Sequence, residues 1–185
     1  MPDFRLETDR LVLRDWRDED FEPFFRHTNT PAVMEHIAPL LDDERKAHFR
    51  RKVIERAALY GHTLWVMERK ADGAILGFCG IKRCDVAGSP IGDFEIGWRL
   101  REDCWGQGYA REAAIATRDA AFELFGAPHV VALTVERNHR SWGLMKRLGM
   151  KRREDLDFID PTYALDGGRI ILYSLDQAEW ERIAA

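Results

Sequence analysis

The chain has 185 residues, 45% of them hydrophobic and 32% charged, and its 28 basic against 32 acidic residues leave a formal net charge of −4. This composition describes one globular domain over residues 1–185 rather than a disordered chain, and it lacks the basic surplus a nucleic-acid partner would select. The three cysteines, Cys79, Cys84 and Cys104, show neither a CxxC spacing nor paired histidines, which argues against a disulfide framework and a zinc site. No apolar run reaches the ~18 residues of a membrane span and none follows a basic start, so the expected setting is cytoplasmic, with no membrane partner and with reduced thiols.

In chain order, Arg10 to Trp16 alternates apolar and polar residues and predicts a half-buried strand. Asp18 would cap a short helix running to Phe25, and Thr30 before Pro31 reads as an N-cap followed by proline at the first helical position. A longer helix fits Asp42 to Leu59, with Phe49, Val53, Ala57 and Tyr60 on one stripe. Thr63 to Arg69 and Ala74 to Arg83 read as a hairpin turned at Asp72-Gly73. A loop at Gly88 to Gly92 leads to a strand at Asp93 to Leu100, and a helix then runs from near Gly108 or Tyr109 to Phe125, stopped by Gly126 and Pro128. Val130 to Glu136 is strand-like, Ser141 to Gly149 contains a short helix, and Lys151 to Phe158 and Arg169 to Leu175 predict two more strands before a terminal helix opened by Asp176. This order implies an α/β (α+β) fold, a mixed sheet with helices on its faces. The basic run Lys146, Arg147, Lys151, Arg152 and Arg153 is either a solvated face or a contact for phosphate or an acidic partner.

The stretch "REDCWGQGYARE", Arg101 to Glu112, places Gly106 and Gly108 just where a helix starts. Backbone N–H groups at a helix start have no intrahelical acceptor, and glycines let an anion come close, so phosphate is one ligand for this geometry; a plain capping turn is the other reading. The nucleotide P-loop fails because Tyr109-Ala110 stands where Lys-Ser/Thr is required. The dinucleotide fingerprint fails because its sixth position, counted from Gly106, is Arg111.

The segments "ETDRLVLRDWRDEDF", "EIGWRLREDCWGQGYAREA" and "LTVERNHRSWGLMKRLGM", in this order and spacing, resemble the GNAT superfamily of N-acetyltransferases. The similarity is closest to its Rim-type branch of ribosomal-protein-N-terminal acetyltransferases. The resemblance implies a mostly antiparallel sheet of about seven strands with flanking helices, and acetyl-coenzyme A as co-substrate without a metal. The family's loop pattern is Gln/Arg-x-x-Gly-x-Gly/Ala; Gly108 and Ala110 match it, while Trp105 stands where the polar residue is usual. The backbone of Gly106, Gln107, Gly108, Tyr109, Ala110 and Arg111 would hold the pyrophosphate, with Arg111 adding charge or remaining an exposed helix residue. The pantetheine arm would pair with the strand at Ile96 to Arg99, and a backbone N–H at Gly97 or Trp98, beside a bulge that Gly97 suits, would hold the developing oxyanion.

By the same resemblance Glu95 is the preferred general base for a primary amine, with Asp93 on the same face as second candidate. An outward, ion-paired glutamate is the other reading of Glu95. No tyrosine stands between Asn138 and Gly149, so Ser141 takes the place facing the leaving thiolate unless it is simply the N-cap of its helix. Asn138 matches the family's cofactor-contacting asparagine or is a turn residue. Cys104 lacks an activating base, His139 reads as solvent-facing, and Trp16, Trp98, Trp105 and Trp142 read as core or pocket walls. The partner would be an amine, either a peptide or protein N-terminus or a small molecule, with no nucleic acid, and a homodimer stays open. A non-catalytic acyl-coenzyme-A-binding domain and a nucleotide-dependent enzyme are the competing readings.

Overall fold

The computed structural model describes residues 4–161 and 165–184. Its strands are β1 (Arg5–Glu7), β2 (Leu11–Arg14), β3 (Leu64–Arg69), β4 (Ile75–Arg83), β5 (Phe94–Leu100), β6 (His129–Val135), β7 (Lys151–Arg152), β8 (Phe158–Ile159) and β9 (Arg169–Asp176). The helices are α1 (Asp18–Thr28), α2 (Pro31–Met34), α3 (Asp43–Tyr60), α4 (Tyr109–Glu123), α5 (His139–Arg147) and α6 (Gln177–Ala184). This is the expected mixed α/β fold, an open and mostly antiparallel sheet flanked by helices, with β1 as an addition and the two-residue strands β7 and β8 in place of one expected strand. The chain divides into two compact units, one comprising the residues up to Lys82 with Gly97–Thr117, the other Arg83–Ile96 with the residues from Arg118 on.

In the first unit β1 pairs with β2, β2 with β3 and β3 with β4, all antiparallel, and the C-terminal half of β5 follows β4. β2 was expected to be half buried, yet all four of its residues are buried. Arg14 is the polar one, and it stays charged there because Asp20 accepts from it at 2.7 and 2.8 Å and Glu68 at 2.8 Å. Asp20 also accepts from the Arg17 N–H at 2.7 Å, so α1 is capped from its third residue, while Asp18, its first, pairs with Arg50 at 2.8 Å. Thr30 caps α2 as expected, and Asp42, expected as the first residue of the long helix, is the N-cap of α3. The core here is aromatic: Phe21, Phe24, Val53, Leu64 and Phe78 are packed by Trp16, Phe25, Phe49 and Ile75. The stripe of α3 serves this core through Phe49 and Val53, but Tyr60 at its end is 44% exposed.

In the second unit the N-terminal half of β5 runs parallel to β6 through Phe94↔Val130 and Glu95↔Val131, and β6 pairs antiparallel with β9 from His129↔Asp176 to Val135↔Ile170. The strand expected over Lys151 to Phe158 is broken by a 3₁₀ turn at Glu154–Leu156. The cause is Asp157, whose carboxylate accepts from Arg152 at 2.5 and 2.6 Å and from Arg169 at 2.9 Å, pulling the chain off the ladder. The basic run is largely neutralised: besides Arg152, Arg153 pairs with Asp155 and Lys151 with Glu179, and Lys146 lies over the Trp142 ring. Asp176 caps α6 through the Glu179 N–H at 2.7 Å, and Trp180 stacks on Phe122 while donating to Asp119 at 2.7 Å.

Burial pushes the Asp157 carboxyl up, but the bonds from Arg152 and Arg169 outweigh this and hold it below the usual carboxylate range. A depressed folded pKa stabilises the fold above the unfolded value of about 4 and loses that contribution as pH falls through the folded value. Asp157→Ala should therefore lower unfolding free energy at neutral pH by about 1–3 kcal/mol. Denaturant titrations should show the gap to wild type shrinking below a pH of about 4; a gap independent of pH would contradict the account.

Candidate functional site

The junction between β5 and α4 lies in the first unit. A 3₁₀ turn at Glu102–Cys104 follows β5, and Gly106 and Gly108 then take the left-handed φ values 74° and 84° that side chains disfavour. A Cβ on Gly106 would meet nothing within 4 Å, so its glycine answers to conformation, whereas one on Gly108 would come 3.3 Å from Arg10 Nη2. At the start of α4 the first i→i−4 bond to close is Glu112 N–H to Gly108 O at 3.0 Å, so the N–H groups before Glu112 have no helical carbonyl to reach. Gly106, Gln107, Gly108 and Arg111 are exposed, Ala110 is half-buried and Tyr109 is buried. The geometry suits an anion: glycines that permit a convergent backbone, exposed positions and the positive end of a helix dipole.

The loop is held from several sides. Trp105 donates from Nε1 to Leu100 O at 3.0 Å, and Gln107 from Nε2 to Asp103 O at 2.8 Å. Arg10 donates from Nη1 to Gln107 O at 3.0 Å and from Nε to Glu112 Oε2 at 2.7 Å, with its guanidinium 4.4 Å from the centre of the Tyr109 ring. Glu112 Oε1 also accepts from the Arg10 N–H at 2.8 Å and from Thr8 Oγ1 at 2.6 Å. Partial burial pushes the Glu112 carboxyl up, but these donors outweigh it and hold the group below its ordinary range. Thr8, Arg10 and Glu112 are the residues the sequence reading missed. All three lie in segments that carry the family resemblance, but nothing there pairs them, and an acid in the first turn of a helix ordinarily needs no partner beyond the dipole.

The remaining first-unit residues are Gly97 and Trp98, both half-buried on β5. Gly97 does not lie among the glycines of positive φ, and the β3–β4 ladder carries a register shift at Met67/Glu68. The Cys104 thiol is buried, and burial pushes its pKa up, which is the reverse of what a nucleophile needs. Trp16 is committed to the aromatic core, where its Nε1 donates to Leu64 O at 2.6 Å.

In the second unit, alternation on β5 buries Phe94 and Ile96 and leaves Glu95 half-buried on the other face. The Cys84 thiol donates to Glu95 Oε2 at 3.5 Å. Asp93, on the same face by the i, i+2 rule, is engaged: its Oδ2 lies 2.7 Å from His129 Nε2. α5 begins at His139, earlier than expected, because Asn138 is its N-cap and accepts the Ser141 N–H at 3.2 Å. Ser141 is therefore inside the first turn, half-buried, and is not the cap. His139 is exposed and Trp142 donates to Glu136 O at 2.9 Å. The structure thus brings Asn138 and Ser141 into contact, and groups Gln107, Gly108 and Tyr109 about Arg10. Among the described residues no cluster of His, Cys, Asp and Glu is fit to hold a metal, and no helix is long and apolar enough to cross a membrane.

The model of the acetyltransferase (GNAT) domain matches residues 10–151. YkkB of Bacillus subtilis (strain 168), an uncharacterized protein, is 32% identical over 147 residues, which are 79% of this chain and 84% of that protein. An FsC-acetyl coenzyme A-N(2)-transacetylase of Aspergillus fumigatus is 27% identical over 96% of this chain and 78% of its own length. An acetyltransferase structure from Agrobacterium tumefaciens matches with a TM-score of 0.77 at 26% identity, covering 94% of this chain and 95% of the other. With the family model spanning most of the sequence, the chain belongs to the GNAT family of acetyltransferases and is an N-acetyltransferase.

Proposed function

We propose that the protein transfers an acetyl group from acetyl-coenzyme A to a primary amine by direct attack of the amine on the thioester, in the manner of the Rim-type branch. The observation that carries the cofactor assignment is the start of α4, where two left-handed glycines and unspent helix N–H groups make a cradle that a diphosphate fits. When bound, acetyl-coenzyme A supplies the activated acyl group. The chain's own residues bind, orient and move protons. Gly106 to Arg111 take the diphosphate, the backbone from Ile96 to Trp98 aligns the pantetheine arm, and a Gly97 or Trp98 N–H stabilises charge on the thioester oxygen.

An amine with a pKa of roughly 8–10 is mostly protonated at neutral pH, so a base must take its proton. Glu95 is that base, supported by its half-buried position on the face opposite Phe94 and Ile96. Ser141 positions the leaving sulfur: since Asn138 caps α5, the serine hydroxyl is not needed for that purpose. Asn138 spends Oδ1 on the cap and keeps its carboxamide NH₂ for a cofactor carbonyl. The acceptor is a peptide or protein N-terminal amine or a small-molecule amine. The N(2)-transacetylase name of the Aspergillus relative supports a nitrogen acceptor without choosing between them.

Gly108→Glu should weaken coenzyme A binding by about 100-fold or more, because like-charge repulsion replaces charge-assisted hydrogen bonds worth roughly 1.5–3 kcal/mol each. Calorimetry on a variant of wild-type melting temperature checks this, and an unchanged affinity would remove the loop from the site. Glu95→Gln should lower kcat by about 100-fold while leaving coenzyme A affinity intact. A wild-type pH–rate profile in that variant would exclude Glu95 as the base. An amine panel read by thiol release, with mass spectrometry locating the acetyl group, identifies the acceptor.

A further inference from the structure

Arg10 belongs to none of the phosphate-loop motifs, and it lies far from the loop in sequence, yet its side-chain bonds end there. Nη1 holds the Gln107 carbonyl at 3.0 Å, Nη2 stands 3.3 Å from where a Gly108 Cβ would be, and the guanidinium lies 4.4 Å from the Tyr109 ring centre. Glu112 fixes this pose by taking Arg10 Nε at 2.7 Å and the Arg10 backbone N–H at 2.8 Å. Among the described residues no peptide bond is cis, so the carbonyl and N–H of each of their peptide units point in opposite directions. The N–H in the same unit as the Gln107 carbonyl is that of Gly108. By holding the carbonyl, Arg10 turns the Gly108 N–H away from itself.

This constraint matters because Gly108, at φ 84°, is the residue type most tolerant of the opposite peptide orientation. A flipped unit would present a carbonyl to the ligand, and a phosphate would meet a negative end in place of a donor. We infer that Arg10 is a positioning residue that orients the Gly108 peptide for the diphosphate of coenzyme A, an inference that rests on reading this loop as the diphosphate site. Lysine is a poor replacement, because it lacks the rigid planar fork whose separate Nε and Nη1 donors reach Glu112 and Gln107 O. The role is distinct from direct charge attraction, since it rests on the bond from Nη1 to the Gln107 carbonyl in a pose that Glu112 fixes through Nε.

Arg10→Gln and Arg10→Lys, checked by thermal melting, test this with binding and kinetic readouts. Both variants should bind coenzyme A about 10- to 100-fold more weakly by calorimetry, the weight of one charge-assisted hydrogen bond. 3′-Dephospho-coenzyme A, which keeps the diphosphate, should lose affinity by the same factor. The kcat/KM for S-acetylpantetheine, which lacks the diphosphate, should stay at the wild-type value. Equal losses for both acyl donors would make Arg10 a general scaffold residue and overturn the inference. A loss confined to coenzyme A, sparing the dephospho form, would overturn it in favour of a 3′-phosphate contact. Full activity in Arg10→Lys would overturn it in favour of charge alone. If the wild-type enzyme used acetyl-coenzyme A no better than S-acetylpantetheine, the diphosphate reading of the loop itself would fail, an outcome separate from the others.

Discussion

Everything at the candidate cofactor site depends on which way the peptide planes between Trp105 and Tyr109 face. A helix start offers free N–H groups, but a glycine-containing turn before it has the freedom to hide them. Here three side chains restrict that freedom, and all three bond to carbonyls: Trp105 to Leu100 O, Gln107 to Asp103 O and Arg10 to Gln107 O. Because peptide units are trans, tying back carbonyls turns the paired N–H groups the other way. Of these carbonyls, that of Gln107 shares its unit with a donor inside the turn, the Gly108 N–H, which is oriented without being used up; those of Leu100 and Asp103 share theirs with the Arg101 and Cys104 N–H groups, already bonded to Leu76 O and Arg101 O, and anchor the turn's flanks.

The same geometry accounts for Trp105, the residue that departs from the family's loop pattern. A glutamine or arginine there would add a polar group to the ligand side; the indole instead latches the loop to the end of β5 through Nε1 and stays half-buried. The positive charge beside the loop comes from Arg10, which the β1–β2 hairpin delivers and Glu112 secures. Losing a polar group from the motif is therefore compatible with an anion site whose donors are mainly backbone.

Local signals carried most of the fold in the sequence. Asp42, Thr30 and Asp176 cap their helices, the Asp72-Gly73 turn closes its hairpin, and β5, α4 and β6 lie within a few residues of their expected bounds. The misses share one cause, a partner distant in sequence or acting out of turn. Asp157 breaks a strand because Arg169 reaches it from β9, and Asp20 displaces Asp18 as the capping acid while it also pairs with the buried Arg14. The site divides in the same way. The glycines of the loop were legible because left-handed turns demand them, while the Arg10–Glu112 contact spans 102 positions and leaves no mark in a single sequence.

Asp93, just before β5, and Glu95, within it, differ in their partners. In the second unit, Phe94↔Val130 and Glu95↔Val131 set β5 and β6 in parallel register, which puts His129 beside Asp93 one step before the ladder. The imidazole Nε2 then engages the Asp93 carboxylate at 2.7 Å. Glu95, two residues on and within the ladder, takes a different donor, the Cys84 thiol at 3.5 Å, so the parallel pairing with β6 gives these neighbouring carboxylates different partners.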